Sequence, residues 1–198
     1  MRGRVSALPA QVTDPPERAV HAGAARYTRT AVLLHWSIAA LVLAQIALGI
    51  YMQSIAKVPV GPRVDAYNLH KSMGIAILAL MLVRIGWRIA HSPPPLPPMP
   101  RWQRAASHAS HAILYVALVA QPLIGFAGSV ASGYPVRLFG LTLPKLWPRD
   151  DALKDALSTA HLVVAIVLVA TITLHVAAAL RHATARDGVL RRMLPLRG

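Results

Sequence analysis

The sequence predicts an all-α integral membrane protein, a four-helix bundle. The chain is 55% hydrophobic over 198 residues, with a mean hydropathy of +0.48. Its apolar residues gather into long runs, and one of them, Ala160 to Leu180, carries no formal charge over twenty-one residues. At about 1.5 Å per residue that run crosses a hydrocarbon core of roughly 30 Å. The connections between runs carry the Pro, Gly and charge that such runs exclude.

Residues 1–25 contain Arg2, Arg4, Asp14, Pro15, Pro16, Glu17 and Arg18 without an apolar core. They are expected to form a flexible tail rather than a cleaved leader, which leaves residues 26–198 as the bundle. Helix 1 is the uncharged run from Thr30 to about Ile55, after Arg26 and Arg29, with Tyr51 and Trp36 as interface anchors. Pro59, Gly61, Pro62 and Arg63 form a short connection to helix 2, expected over about Asp65 to Ala90. Only Ser72 to Val83 is free of charge there, so Lys71, Arg84 and Arg88 must snorkel or find anionic partners. S-P-P-P-L-P-P-M-P, from Ser92 to Pro100, is a stiff polyproline connector. Helix 3 runs from about Trp102 to Ala131, and Pro122 predicts a kink near Gln121. A loop with Gly133, Pro135 and the run F-G-L-T-L-P (Phe139 to Pro144) follows, and Asp150 and Asp151 lead into helix 4.

The chain has no cysteine. Disulfides, Fe–S clusters, thiolate zinc sites and haem attached through C-x-x-C-H are therefore excluded. A net charge of +14 would suggest nucleic acid in a soluble protein. Here topology arranges the charge, and no nucleic-acid partner is expected. Four spans put both termini on one side. Fourteen of the twenty-one Lys and Arg lie on that side, which holds the N-terminal segment, the helix 2–3 connection and the C-terminal segment. The positive-inside rule makes that side cytoplasmic.

Helix 4 carries His161 and His175. Fourteen residues put the two rings about 40° apart around the axis and about 21 Å apart along it. Imidazoles inside a span are costly unless they face protein, water or a ligand. Two on one face at that separation point to two stacked cofactors. Helix direction assigns depth: His35 and His175 near the inner surface, His70 and His161 near the outer. Each pair can place two imidazole nitrogens on opposite faces of a haem iron, and bundle cores are where such sites are built. Bis-His ligation leaves no open position and suits electron transfer. The fold expected is thus a bundle binding two b haems non-covalently. His111, three after His108, could displace His35 as the inner ligand, or serve only as an interfacial hydrogen-bonder. Lys71 and Arg84 are the expected propionate partners. His182, seven after His175, lies on nearly the same face of helix 4.

The sequence resembles the bacterial cytochrome b561 family. The matching motifs are L-H-W at Leu34 to Trp36, N-L-H-K-S-M-G at Asn68 to Gly74, L-V-R at Leu82 to Arg84 and P-L-I-G-F at Pro122 to Phe126. Further matches are F-G-L-T-L-P and H-V-A-A-A-L-R-H at His175 to His182. The resemblance spans roughly Tyr27 to Pro195. It implies a four-helix inner-membrane di-haem b cytochrome with ligands at His35, His70, His161 and His175. One branch, superoxide oxidase, takes an electron from superoxide outside the membrane and passes it through two haems to ubiquinone. In that branch a histidine after the last ligand lies by the quinone, and His182 matches it.

Two functions are therefore expected. The first is superoxide:ubiquinone oxidoreduction. A basic outer surface of Lys57, Arg63, Lys71, Arg137, Lys145, Arg149 and Lys154, net +3 after four aspartates, would attract a small anion. The second is an electron-transfer anchor, a cytochrome b subunit that passes electrons between a dehydrogenase or hydrogenase partner and quinone. A haem-free helical protein would show no Soret band.

Overall fold

The computed structural model describes residues 26–56, 60–96, 98–185 and 187–194. The tail expected over residues 1–25 lies outside them. Four helices follow in order: α1 at Arg29–Ser54, α2 at Val60–Ala90, α3 at Arg101–Ala131 and α4 at Asp151–Ala185. All four are long and apolar enough to cross a membrane.

The helix starts follow from local chemistry. Thr28 caps α1, its Oγ1 accepting from the Ala31 amide at 3.2 Å. Asp150 caps α4, its Oδ1 accepting from the Leu153 amide at 2.9 Å. α2 begins at Val60, earlier than the expected Asp65. Pro62 falls in its first turn, where a missing N–H leaves no hydrogen bond unmade. Arg63 Nη1 then donates to the Ile55 carbonyl at 3.0 Å and ties this turn to the end of α1. α3 starts directly after Pro100 and continues as one helix through Pro122.

The segment between α3 and α4, expected as a plain loop, holds a two-stranded hairpin. β1, Arg137–Leu138, pairs antiparallel with β2, Leu141–Thr142. The turn residues Phe139 and Gly140 have φ of +50° and +84°, the left-handed pair that a tight hairpin turn requires. The Phe139 amide donates to Ser72 Oγ at 2.8 Å, which docks the hairpin onto α2 two residues from His70.

Close packing runs from α1 to α2, α2 to α3 and α3 to α4. No comparable backbone packing joins α4 to α1 or α2 among the described residues. That side of the bundle is bridged by side chains instead. At mid-depth Ile38, Val42, Ile77 and Met81 form the buried core, with Leu41, Leu80, Tyr115, Leu118 and Ile172 packed on it. The outward faces carry bare apolar residues, such as Ile50, Ile89 and Leu174, each at least 70% exposed. Such a surface suits a lipid solvent, which asks only that backbone polar groups be satisfied internally.

The end of the bundle that carries the chain termini is knitted by polar contacts. Arg84 donates from Nη1 to the Ala31 carbonyl at 3.0 Å and from Nε to the Tyr115 hydroxyl at 3.2 Å. Trp87 Nε1 donates to Thr28 Oγ1 at 2.9 Å. Beyond α4 the chain turns back in a short 3-10 segment, Leu190–Met193. There Trp36 Nε1 donates to the Met193 carbonyl at 2.7 Å.

A candidate cofactor site of two facing histidine pairs

Three helices bring four histidines together as two pairs. His35 of α1 faces His175 of α4, with ring centroids 6.4 Å apart and planes at 73°. His70 of α2 faces His161 of α4, at 6.3 Å and 66°. Both pairs bridge the side of the bundle that lacks backbone packing. The spacing of fourteen on α4 sets their separation at about 21 Å along the axis.

The ring separations have a chemical meaning. Two metal–imidazole bonds of about 2.0–2.1 Å each would put the facing nitrogens about 4 Å apart. Each centroid sits half a ring behind its nitrogen, which brings two rings ligating one ion close to the separations observed. No group of three or more His, Asp or Glu completes an all-protein metal site among the described residues. Each pair offers two imidazoles at a spacing that suits one ion.

The pair at the hairpin end is half-buried and packs against glycines. A Cβ on Gly49 would lie 3.3 Å from His70 Cε1, and one on Gly125 would lie 2.9 Å from His161 Cε1. Only a residue without a side chain lets the backbone approach the ring this closely. Gln45 Nε2 donates to the His70 carbonyl at 2.8 Å, and Gln121 Nε2 donates to the His161 carbonyl at 3.0 Å. Four fully buried side-chain atoms have no hydrogen-bond partner among the described residues: Nδ1 of His70 and His161, and Oε1 of Gln45 and Gln121. An unpaired buried polar group costs about 1–3 kcal/mol, so four around one ring pair set this pair apart as a candidate site.

The remaining sequence candidates are distributed as follows. Lys71 is half-buried beside His70. Arg84 lies at the termini end, with Nε and Nη1 engaged as described above. The ring of His111 stands 5.4 Å from that of His175, nearer than either facing pair. Its Nδ1 donates to the Ser107 carbonyl at 2.6 Å. His108 is exposed. His182 pairs through Nδ1 with Asp187 Oδ2 at 2.5 Å. That hydrogen bond holds the Asp187 carboxyl below the usual carboxylate range.

Sequence reasoning missed Gln45, Gln121, Gly49, Gly125, Ser72 and Asp187. One signal was present: Q-x-x-x-G occurs on α1 as Gln45 to Gly49 and on α3 as Gln121 to Gly125.

Comparison with known proteins bears on these pairs. A family model described as prokaryotic cytochrome b561 matches residues 26–196. The chain is 33% identical over 172 residues to cytochrome b561 homolog 2 of Escherichia coli strain K12, covering 85% of this chain and 91% of that one. It is 31% identical over 177 residues to a probable superoxide oxidase, CybB, of Yersinia pestis, covering 86% and 96%. It is also 39% identical over 71 residues to cytochrome b562 of Cereibacter sphaeroides, which covers 34% of this chain and 45% of that one.

Proposed function

The chain belongs to the prokaryotic cytochrome b561 family of membrane electron-transfer proteins, and we propose that it oxidises superoxide and reduces ubiquinone. The observation that carries the proposal is the pair of facing imidazole couples, 6.4 Å and 6.3 Å between centroids. Two haems are the cofactor this geometry supports, one held by His35 and His175, the other by His70 and His161. The residues fit the group. The ring spacing would suit two imidazole nitrogens held to one iron, glycines lie against the second pair, and α4 stands clear of close backbone packing with α1 and α2. Each haem would supply one-electron redox chemistry.

The rest of the chain does what the reaction needs around that chemistry. Two superoxide anions each give up one electron and leave as dioxygen. One ubiquinone takes two electrons and two protons and becomes ubiquinol. At the hairpin end, Arg137 and Lys145 are exposed and give a basic approach that raises the local concentration of a small anion. At the termini end, His182 holds Asp187 through Nδ1, which leaves Nε2 to accept or pass a proton at a quinone oxygen. In the orientation read from charge, that end is cytoplasmic and the protons come from inside the cell. Superoxide as donor is supported by the likeness to the Yersinia pestis protein.

The test is superoxide-dependent ubiquinone reduction by purified protein with its haem. A rate that needs both superoxide and quinone is the expected result. Haem reduction by superoxide without quinone turnover would assign the chain to electron transfer for another acceptor. Haem that superoxide leaves oxidised, but that a soluble redox protein reduces, would favour the anchor function instead.

A further inference from the structure

Gln45 and Gln121 form two copies of one device. Each sits on the first helix of a hairpin, α1 or α3, and reaches the second, α2 or α4. Each donates its amide N–H to the backbone carbonyl of a histidine, His70 at 2.8 Å and His161 at 3.0 Å. One turn further on, each helix presents a glycine to the same imidazole. Outside these two cradles, no buried side-chain polar atom lacks a partner among the described residues. The His35–His175 pair has a different surround, with the His111 ring against His175.

The chemistry of the unpaired atoms is complementary. A backbone carbonyl can only accept, so the glutamine atom facing it must be the amide nitrogen, and the free atom must be the carbonyl oxygen. An imidazole that turns Nε2 toward a metal carries its proton on Nδ1 and becomes a donor there. Each cradle thus holds one buried donor, His Nδ1–H, and one buried acceptor, Gln Oε1. Neither finds a partner in the other surroundings.

We infer that Gln45 and Gln121 are positioning residues whose Oε1 atoms accept the Nδ1–H of His70 and His161 across one buried water, with the backbone bonds kept. The inference rests on the reading of His70 and His161 as ligands of one haem. The backbone bond anchors each glutamine, and the oxygen then selects the tautomer that presents Nε2 to the iron. An acceptor on Nδ1–H also raises the basicity of the ligating nitrogen, which favours the oxidised iron. The two glutamines together therefore hold down the reduction potential of this haem and leave that of the His35–His175 haem alone.

The experiment is a redox titration of the purified, haem-loaded protein with optical and EPR detection. Gln45→Leu and Gln121→Leu keep bulk but remove the acceptor, so each should raise the midpoint potential of one haem and shift its EPR signature. The other haem should be unchanged. Gln45→Glu and Gln121→Glu retain an acceptor oxygen and should not raise the potential. Leu variants with both potentials unchanged would overturn the inference, as would a shift confined to the haem that is lost in His35→Ala. If a Leu variant fails to hold haem, the Glu variant decides. A Glu variant with both haems and no rise in potential supports the inference, and one that behaves like Leu overturns it. His70→Ala retaining both haems would instead remove the underlying assignment, a result readable apart from the glutamines.

Discussion

Gly125 of α3 lies so close to His161 of α4 that a methyl group there would sit 2.9 Å from Cε1 and 3.1 Å from Nδ1 of the imidazole. On the opposite helix Gly49 stands in the same relation to His70, but at 3.3 Å from Cε1 and 3.8 Å from Nδ1. The two contacts rank two substitutions. Gly125→Ala should displace its ring, at an overpacking cost of about 1–3 kcal/mol, and lower the content of haem held at the hairpin end. Gly49→Ala should have a smaller effect in the same direction. Haem quantified per protein, with spectra resolved for the two sites, checks the order. A larger loss in Gly49→Ala would contradict it.

Single Ala substitutions of the four paired histidines should divide into two groups. His35→Ala and His175→Ala are expected to lose one haem, and His70→Ala and His161→Ala the other. The measure is the reduced-minus-oxidised spectrum and the haem-to-protein ratio. Melting temperature should fall in all four, because a ligand bound only to the native state adds directly to its stability. Full haem content in any of them would exclude that histidine as a ligand.

His182→Ala should keep both haems and slow quinone reduction, while reduction of the haem by superoxide persists. His182 carries no ring contact with the paired histidines and is tied instead to Asp187. Asp187→Asn should slow the same step by less, since it keeps the imidazole and removes only its charged partner. Stopped-flow measurement of the two half-reactions separates these effects. Unchanged quinone kinetics in His182→Ala would move the quinone site toward His111.

The C-terminal turn should respond to acid in a defined direction. Asp187 accepts from His182 and from the Val189 amide at 3.1 Å, and its carboxyl is held below the usual range. A depressed carboxyl pKa contributes stability that is fully present above the unfolded value of about 3.9 and is lost as pH falls through the lower folded value. The group is exposed, so the effect is modest, below about 1 kcal/mol. Amide exchange across residues 187–193, taken relative to an unstructured peptide at the same pH, should therefore be steady down to about pH 4 and rise on further acidification. Asp187→Asn should raise it already at neutral pH.

A reporter fused after Gly198 should behave as cytoplasmic. Fourteen of twenty-one basic residues lie on the side of the chain termini, and short basic segments are retained on the cytoplasmic side. A periplasmic signal would reverse the direction of proton uptake proposed for His182.

Much of this protein is legible along one dimension. Hydropathy needs no knowledge of neighbours, so the four spans follow from apolar runs long enough for a bilayer. Helical periodicity is equally local, so His161 and His175 fall on one face of α4, and helix direction gives His35 the depth of His175 and His70 that of His161. The family motifs are local as well. What the sequence could not decide is how the helices rotate and lean against one another. Whether Gln45 reaches His70, or Gln121 reaches His161, depends on the packing of α1 on α2 and α3 on α4. A rotation of one residue, about 100°, would point either glutamine elsewhere. The glycines at 49 and 125 look like ordinary small residues until a ring from another helix lies on them. Arg84, read from sequence as a propionate partner, meets Ala31 and Tyr115 across helix boundaries. Asp187 meets His182 only because the chain turns back after α4, and the hairpin at Arg137–Thr142 finds Ser72 only through the fold of the long α3–α4 connection. These relationships join residues through space, and tertiary packing alone sets the distances on which their chemistry depends.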